Sequence, residues 1–116
     1  MSAFEKEKLD RFIQVATEEE QAQKDGNSKK TNKCYHILME TGKVLLEQEG
    51  GGAALFGLLA HENDSVVSWA AYFLLKNKKE EAVSALERIS KKEGIIAFNA
   101  EMTLREFRSG RLKLQY

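Results

Sequence analysis

The second half of the chain repeats one pattern, first in GGAALFGLLAHENDSVVSWAAYFLL (residues 51–75) and again in EEAVSALERISKKEGIIAFNAEMTL (residues 80–104). Each copy is an apolar helical segment, a short polar loop and a second apolar helical segment. A shift of 28 residues before the loop and 29 after it superposes small and aliphatic residues: Ala54 on Ala82, Leu55 on Val83, Leu58 on Leu86, Val67 on Ile96, Ala71 on Ala100 and Leu75 on Leu104. This repetition predicts stacked helical hairpins, an architecture that usually binds other macromolecules.

The composition indicates one all-α domain. The chain has 116 residues, 42% of them hydrophobic, and it has no proline. Apolar and polar residues never alternate over a useful run, so strands are not predicted. The 18 basic residues balance the 18 acidic ones. A general nucleic-acid binder normally needs a clearly basic face, so the charge balance argues against that class.

The N-terminus and the cysteine content favour a cytoplasmic protein. The first ten residues, MSAFEKEKLD, alternate in charge where a secretory signal needs an apolar core. A single cysteine, Cys34, cannot form an internal disulfide, which fits a reducing compartment. The apolar runs are too short to span a bilayer, so we expect no membrane association and a monomeric cytoplasmic protein.

Helix signals divide the chain into about six helices. Ser2 and Glu5 form a capping-box pattern, Asn27 or Ser28 can cap a second helix, and Asp64 can cap the fourth. We predict helices over residues 3 to the low 20s, 28–49, 53–60, 65–76, 78–92 and 95–108. In this layout residues 1–49 are an N-terminal capping pair, 50–77 and 78–110 are two hairpin repeats, and 111–116 are a basic tail of uncertain order.

Two segments carry a resemblance to a known family. The run LLAHENDSVVSWAAYFLL (residues 58–75) resembles a HEAT-type repeat, and the arrangement through AEMTLREFRSGRL (residues 100–112) resembles a family of short bacterial HEAT-like proteins of unknown function. The similarity extends over residues 9–112. It implies a right-handed α-superhelix of HEAT-like hairpins with no enzymatic activity and no cofactor. Asp64 and Val67 match the usual HEAT loop, but Ser68 replaces its arginine, so packing between the repeats must come from apolar contacts.

The resemblance also suggests a role. Proteins of this sort occur among bacterial toxin-immunity modules, including those of contact-dependent growth inhibition. It therefore implies a protein that binds and neutralises one cognate toxin, for example a nuclease.

The residues themselves give little support for catalysis. Cys34 and His36 are two positions apart on a helix and point about 200° apart, which does not make a nucleophile–base pair. His61 lies in a polar loop beside Glu62 and Asp64, where we expect it to hydrogen-bond a helix end. The sequence contains no CxxC, HExxH, GxGxxG or P-loop motif, so no metal or nucleotide site is predicted.

Three sets of residues are candidates for contact with a partner. Trp69 and Tyr72 flank the apolar stripe of the fourth helix, either as interface anchors or as cover for the next helix pair. Charged residues recur at helical spacing on the last helix, and the first helix ends in an acidic run. The charged candidates are Glu101, Arg105, Arg108, Glu18, Glu19 and Glu20.

Two other functions stay open at this point. A scaffold unrelated to toxins would be favoured by stable homo-oligomers formed through the last helix. A nucleic-acid binder would use Arg105, Arg108, Arg111 and Lys113, and its affinity would fall steeply with salt.

Overall fold

A computed structural model describes residues 2–48, 50–114 and 116 of the chain. The described residues form six α-helices and no strand, which confirms the all-α prediction. The helices are α1 (Ala3–Lys24), α2 (Ser28–Glu47), α3 (Gly51–Gly57), α4 (Asp64–Leu74), α5 (Lys79–Ser90) and α6 (Ile95–Arg108), and a 3₁₀ turn (Leu58–Ala60) continues α3. The predicted boundary at residue 49 lies outside the described residues. No helix in the described part of the chain is long and apolar enough to cross a bilayer.

The caps of the first two helices form as predicted. The Ser2 hydroxyl accepts a hydrogen bond from the Glu5 backbone N–H at 3.1 Å. At the other end of α1 the chain turns at Gly26, whose φ of 69° is in the left-handed region that favours glycine. Asn27 then caps α2 through its side-chain oxygen, which accepts from the Lys30 N–H at 3.1 Å. These local signals set the α1–α2 hairpin.

The third helix begins earlier than predicted. The glycine run was expected to separate α2 from α3, yet α3 starts at Gly51 and includes Gly52. Glycine costs roughly 1 kcal/mol in a helix interior. Packing compensates for this cost because Leu55 is fully buried in the core and Leu58 nearly so.

The cap of α4 is Asn63, and the prediction of Asp64 was wrong. Asn63 has an extended backbone, and its side-chain oxygen accepts from the N–H groups of Ser65 and Val66 at 2.8 and 3.1 Å. Asp64 already lies inside the first turn, where its carboxylate pairs with Lys92 at 2.8 Å. Both residue types can cap helices, so the sequence alone did not distinguish them.

Replacement of the two residues by alanine should separate these roles. We expect Asn63→Ala to lower the free energy of unfolding by about 1–2 kcal/mol, because two N–H groups lose their acceptor. Asp64→Ala should cost less, since an exposed ion pair contributes under about 1 kcal/mol. Urea unfolding of both variants measures the difference. An equal or larger loss in Asp64→Ala would contradict the assignment of Asn63 as the cap.

Helix α4 forms the centre of the core. It packs against α1, α2, α3, α5 and α6. The predicted apolar stripe is buried in full: Val66, Val67, Ala70, Ala71, Leu74 and Leu75. Phe73 is also fully buried, although it lies off that stripe. A helix surrounded by other helices buries more than one face, which explains the extra residue.

A close approach between α2 and α4 depends on Gly42. A Cβ atom at this position would overlap the ring of Phe73. The ring of Phe73 also contacts Phe12 of α1, with centroids 6.0 Å apart. Gly42 thus allows one aromatic side chain to fill the space between α1, α2 and α4.

Two glycine substitutions test this packing. Gly42→Ala should lower the free energy of unfolding by about 1–3 kcal/mol, because the methyl group overpacks the core. Gly57→Ala is the matched control: nothing lies within 4 Å of a Cβ there, and its φ is negative. We expect this control to gain about 0.5–1 kcal/mol. Denaturant unfolding measures both changes, and a Gly42→Ala variant as stable as the parent would refute the close approach.

The first helix also contacts the last one. The Asn99 side chain of α6 donates to the Gln23 side chain of α1 at 2.8 Å. In a strictly linear repeat stack each unit contacts only its neighbours, so this contact between the first and last helices departs from such a stack. The radius of gyration is 13.3 Å, which is about the value for a compact domain of this length.

The segment after α6 is held against the helices. Gly110 has a φ of 78°, and the N–H groups of Gly110 and Arg111 bond to the carbonyls of Phe107 and Glu106 at 3.1 and 2.9 Å, a Schellman cap. Alternate residues beyond it pack on the core: Leu112, Leu114 and Tyr116. The described part of the tail is therefore ordered by apolar contacts, which its basic composition did not indicate.

Candidate functional site

A cleft of about 480 Å³ opens between α1, α2, α4, α6 and the segment after α6. We call it the central cleft. Its lining combines aromatic, polar and charged side chains, among them Glu19, Gln23, Tyr35, Ser68, Trp69, Tyr72, Asn99, Arg111 and Lys113. A neighbouring cavity of about 730 Å³, the outer cleft, shares Glu19, Gln23, Tyr35 and Asn99 with it. The two clefts therefore lie side by side, and we call them together the groove.

The floor of the groove is a hydrogen-bond chain that ends on Glu19. Asn99 donates to the Gln23 side-chain oxygen at 2.8 Å, and the Gln23 amide donates to the Glu19 carboxylate at 2.6 Å. The indole N–H of Trp69 also donates to Glu19. Side chains from α1 and α4 thus donate to one carboxylate, and Asn99 of α6 is linked to it through Gln23. Gln23 and Trp69 both act as donors to Glu19, as an ionised acceptor requires.

Burial dominates the electrostatics of Glu19. The residue is only 5% exposed, and burial raises the pKa of its carboxyl group above the usual value of 4.5. The hydrogen bonds from Gln23 and Trp69 partly oppose this shift, and the charge of Glu20 adds to it. The charged form of a carboxyl group buried in this way is less stable than it would be in water.

Three aromatic rings form the side of the central cleft. The ring centroids of Tyr35 and Trp69 are 5.8 Å apart, and those of Trp69 and Tyr72 are 6.2 Å apart. All three side chains are partly buried. The predicted candidates Trp69 and Tyr72 therefore both pack on the core and face the cleft. The Tyr72 hydroxyl donates to the Lys113 carbonyl at 3.4 Å, which ties the segment after α6 to this wall.

The acidic run of α1 does not form one exposed patch. Glu19, predicted for the rim of the binding face, lies buried on the floor because the packed side of α1 includes position 19. Glu20 accepts from Asn63 at 3.1 Å and pairs with Lys24 at 3.1 Å. Glu18 is partly exposed. The three carboxylates thus have three different environments.

The charged candidates of α6 lie away from the groove. Arg105 pairs with Glu101 at 2.9 Å, and Arg108 pairs with Glu87 of α5 at 3.1 Å. They line a shallow depression of about 540 Å³ between α5 and α6. The structure therefore places Trp69 and Tyr72 at one site and these charged residues at another.

The side chains considered for catalysis, Cys34 and His61, lie in surroundings that suit a structural role. Burial raises the pKa of the Cys34 thiol, and the charges of Glu18 and Glu19 add to this effect. A buried thiol is a poor nucleophile. The His61 Nδ1 accepts from the Asn63 backbone N–H at 3.0 Å, the loop role predicted for it. Within the described ranges no three His, Cys, Asp or Glu side chains are arranged to hold a metal ion.

Sequence reasoning missed part of the groove. Gln23, Tyr35 and Asn99 come from three different helices, and no local spacing links them. A better signal was available in α6, where Ile95 and Phe98 are apolar but do not belong to the buried residues of that helix. They are 41% and 59% exposed, and Ile95 lines the outer cleft. Exposed large apolar side chains at a cleft are typical of a binding surface.

A family model described as "Domain of unknown function (DUF2019)" matches residues 6–108. The chain belongs to this family. The match includes every helix in nearly its full length. The prediction that the chain belongs to a family of unknown function is thereby confirmed.

A solved structure shares the fold of this DUF2019 protein. It is the crystal structure of the protein RPA1889 from Rhodopseudomonas palustris CGA009, with a TM-score of 0.84 and 24% sequence identity over 97% of this chain and 93% of that one. Identity at this level shows the fold alone. No curated protein matched the sequence.

The environment of Glu19 predicts a pH dependence of stability. Because folding raises the pKa of Glu19, the folded chain keeps a proton that the unfolded chain has already released. The retained proton stabilises the folded chain, and this contribution to the free energy of unfolding is lost as the pH rises from about 4.5 through the raised pKa. Glu19→Gln removes the titrating group and keeps the shape, so this variant should lose less stability than the parent between pH 4.5 and 7.5.

Urea unfolding at a series of pH values measures the difference. Glu18→Gln is the control, since it removes a neighbouring carboxylate that does not line the groove, and it should follow the parent. Parallel pH profiles for Glu19→Gln and the parent would contradict the unfavourable burial of the charge.

Proposed function

We propose that the chain is a non-enzymatic module that binds one protein partner in its groove. The observation that carries this proposal is the adjacency of the two clefts, the outer of which is lined by the exposed side chain of Ile95. The groove combines a polar floor with an apolar edge at Ile95. Extended grooves with aromatic anchors suit a protein segment.

The chemistry of the groove favours binding over catalysis. Glu19 is its buried titratable group, and the residues that contact it, Gln23 and Trp69, are donors that do not act as nucleophile or base. Cys34 is buried, and its raised pKa keeps it protonated. Activation of a nucleophile by a general base needs a second group in reach of the first, and neither Gln23 nor Trp69 can be that group.

We infer that the partner is a bacterial toxin and that the chain is its immunity protein, of the contact-dependent growth inhibition type. The support is the HEAT-type resemblance of the repeated hairpins, α3–α4 and α5–α6. In this proposal they stack as a right-handed superhelix capped by α1–α2, and the chain acts in the cytoplasm as a monomer. A segment of the toxin, for example of a nuclease, occupies the groove, so that the toxin cannot reach its target.

Two alternatives differ in their support. A scaffold that self-associates through α6 draws on the exposure of Ile95 and Phe98, so the oligomeric state is part of the test below. Nucleic-acid binding through the basic residues of α6 has less support. Arg105, Arg108 and Arg111 pair with Glu101, Glu87 and Glu106, and these carboxylates reduce the positive potential that phosphates require.

Co-expression with the toxic C-terminal domain encoded immediately upstream of this gene tests the proposal. We expect growth to recover and a one-to-one complex to co-purify. Ile95→Ala should raise the Kd by about tenfold, because its exposed side chain lines the outer cleft and is buried when the partner binds. Phe4→Ala is the matched control, since Phe4 is 48% exposed and lies at the start of α1, outside the groove.

The outcomes separate the alternatives. No rescue and no complex, together with a stable homo-oligomer that Phe98→Ala dissociates, would replace the immunity role by the scaffold. Equal effects of Ile95→Ala and Phe4→Ala on toxin binding would show that the interface lies outside the groove.

A further inference from the structure

The Glu19 carboxylate has acceptor capacity that the fold leaves unused. A carboxylate can accept about four hydrogen bonds. Glu19 accepts from the Gln23 amide and from the Trp69 indole. The ion pairs of the described residues do not include Glu19. A buried carboxylate without a counter-ion is unfavourable, and a cation in the groove would remove that cost.

Ser68 adds a second unsatisfied group to the same cleft. Its hydroxyl oxygen is buried, and it has no hydrogen-bond partner among the described residues. Buried hydroxyl groups are nearly always bonded, so an orphan that lines a cavity is a candidate acceptor for a bound group.

The aromatic wall suits a cation. Tyr35, Trp69 and Tyr72 line the same cleft as Glu19. The faces of aromatic rings attract ammonium and guanidinium groups, and the attraction is stronger where water is excluded. A carboxylate at the floor and rings at the side are complementary to a positively charged side chain.

We propose that the central cleft binds a basic side chain of the partner, a lysine ammonium or an arginine guanidinium, with Glu19 and Ser68 as its hydrogen-bond acceptors. The protein source of this side chain rests on the proposed function. A quaternary ammonium ion fits the rings but has no N–H to donate, so it leaves both acceptors unsatisfied. The cleft thus selects a cation that donates hydrogen bonds.

The basic residues of the rim do not oppose this assignment. Arg111 pairs with Glu106 at 3.2 Å, and Lys113 is exposed to solvent. Charges in contact with water are screened within about 10 Å at moderate salt. Glu19 is buried, so its interaction with a bound cation is screened much less.

Small amides test the proposal without the partner. Trp69 is the single tryptophan, so its indole N–H gives one NMR signal from the hydrogen bond to Glu19. The ligands are Nα-acetyl-lysine amide and Nα-acetyl-arginine amide, with the norleucine analogue as the uncharged control and the trimethyl-lysine analogue as the quaternary one. We expect a saturable shift of this signal with the lysine or the arginine amide, and at least fivefold weaker binding of both controls. The basic amide that binds more tightly then identifies the side chain.

Two variants assign the acceptors. Glu19→Gln should abolish the response to the basic amides, and Ser68→Ala, which removes an orphan hydroxyl and should fold normally, should weaken it several-fold. Binding of norleucine as strong as that of lysine, tighter binding of trimethyl-lysine, or no response to either basic amide would overturn the proposal. Because the toxin is absent, failure here leaves the rescue experiment as an independent test of the proposed function.

Discussion

The burial of α4 over most of its circumference is the constraint on which the other helices depend. Its side chains are apolar on most of its circumference, so no single neighbouring helix can cover it. The chain surrounds it with α1 and α2 on one side and α5 and α6 on the other. Gly42 lets α2 approach closely enough for Phe73 to fill the gap, and the Ser65 hydroxyl bonds to the Ala16 carbonyl of α1 at 3.1 Å.

The groove is a consequence of the same arrangement. Helix α4 is covered except along the side that carries Ser68, Trp69 and Tyr72, where Gln23 of α1 and Asn99 of α6 are joined by a hydrogen bond. Side chains on that side can be neither fully buried nor fully exposed. A surface of partly buried aromatic residues above a polar floor results, and the segment after α6 extends one wall.

Much of the fold was predictable because its signals are local. The caps at Ser2 and Asn27, the glycines at the ends of α1 and α6 and the apolar stripe of α4 each act within a few residues. The errors arose where two neighbours offered the same chemistry, as Asn63 and Asp64 do, or where packing outweighed propensity, as in the glycine run before α3.

The groove could be predicted only in part, because its parts are far apart in sequence. Trp69 and Tyr72 were recognised by their position beside the buried stripe. Glu19 was among the candidates as one of three acidic residues near the end of α1. Its burial was not foreseen, because that depends on Asn99 and Gln23, which are 76 positions apart, meeting above it. Long-range contacts of this kind have no periodic signal.

The charge of Glu19 is more than the fold requires. The hydrogen-bond chain from Asn99 through Gln23 would link α1 to α6 equally well if a neutral amide accepted at position 19. The carboxylate instead adds a desolvation cost that raises its pKa and that its two donors only partly offset. Functional sites are where such local conflicts concentrate, since an unsatisfied group there gains a partner on binding. The cost in the free chain is then recovered as affinity for a cation, which explains why the floor of the groove is acidic.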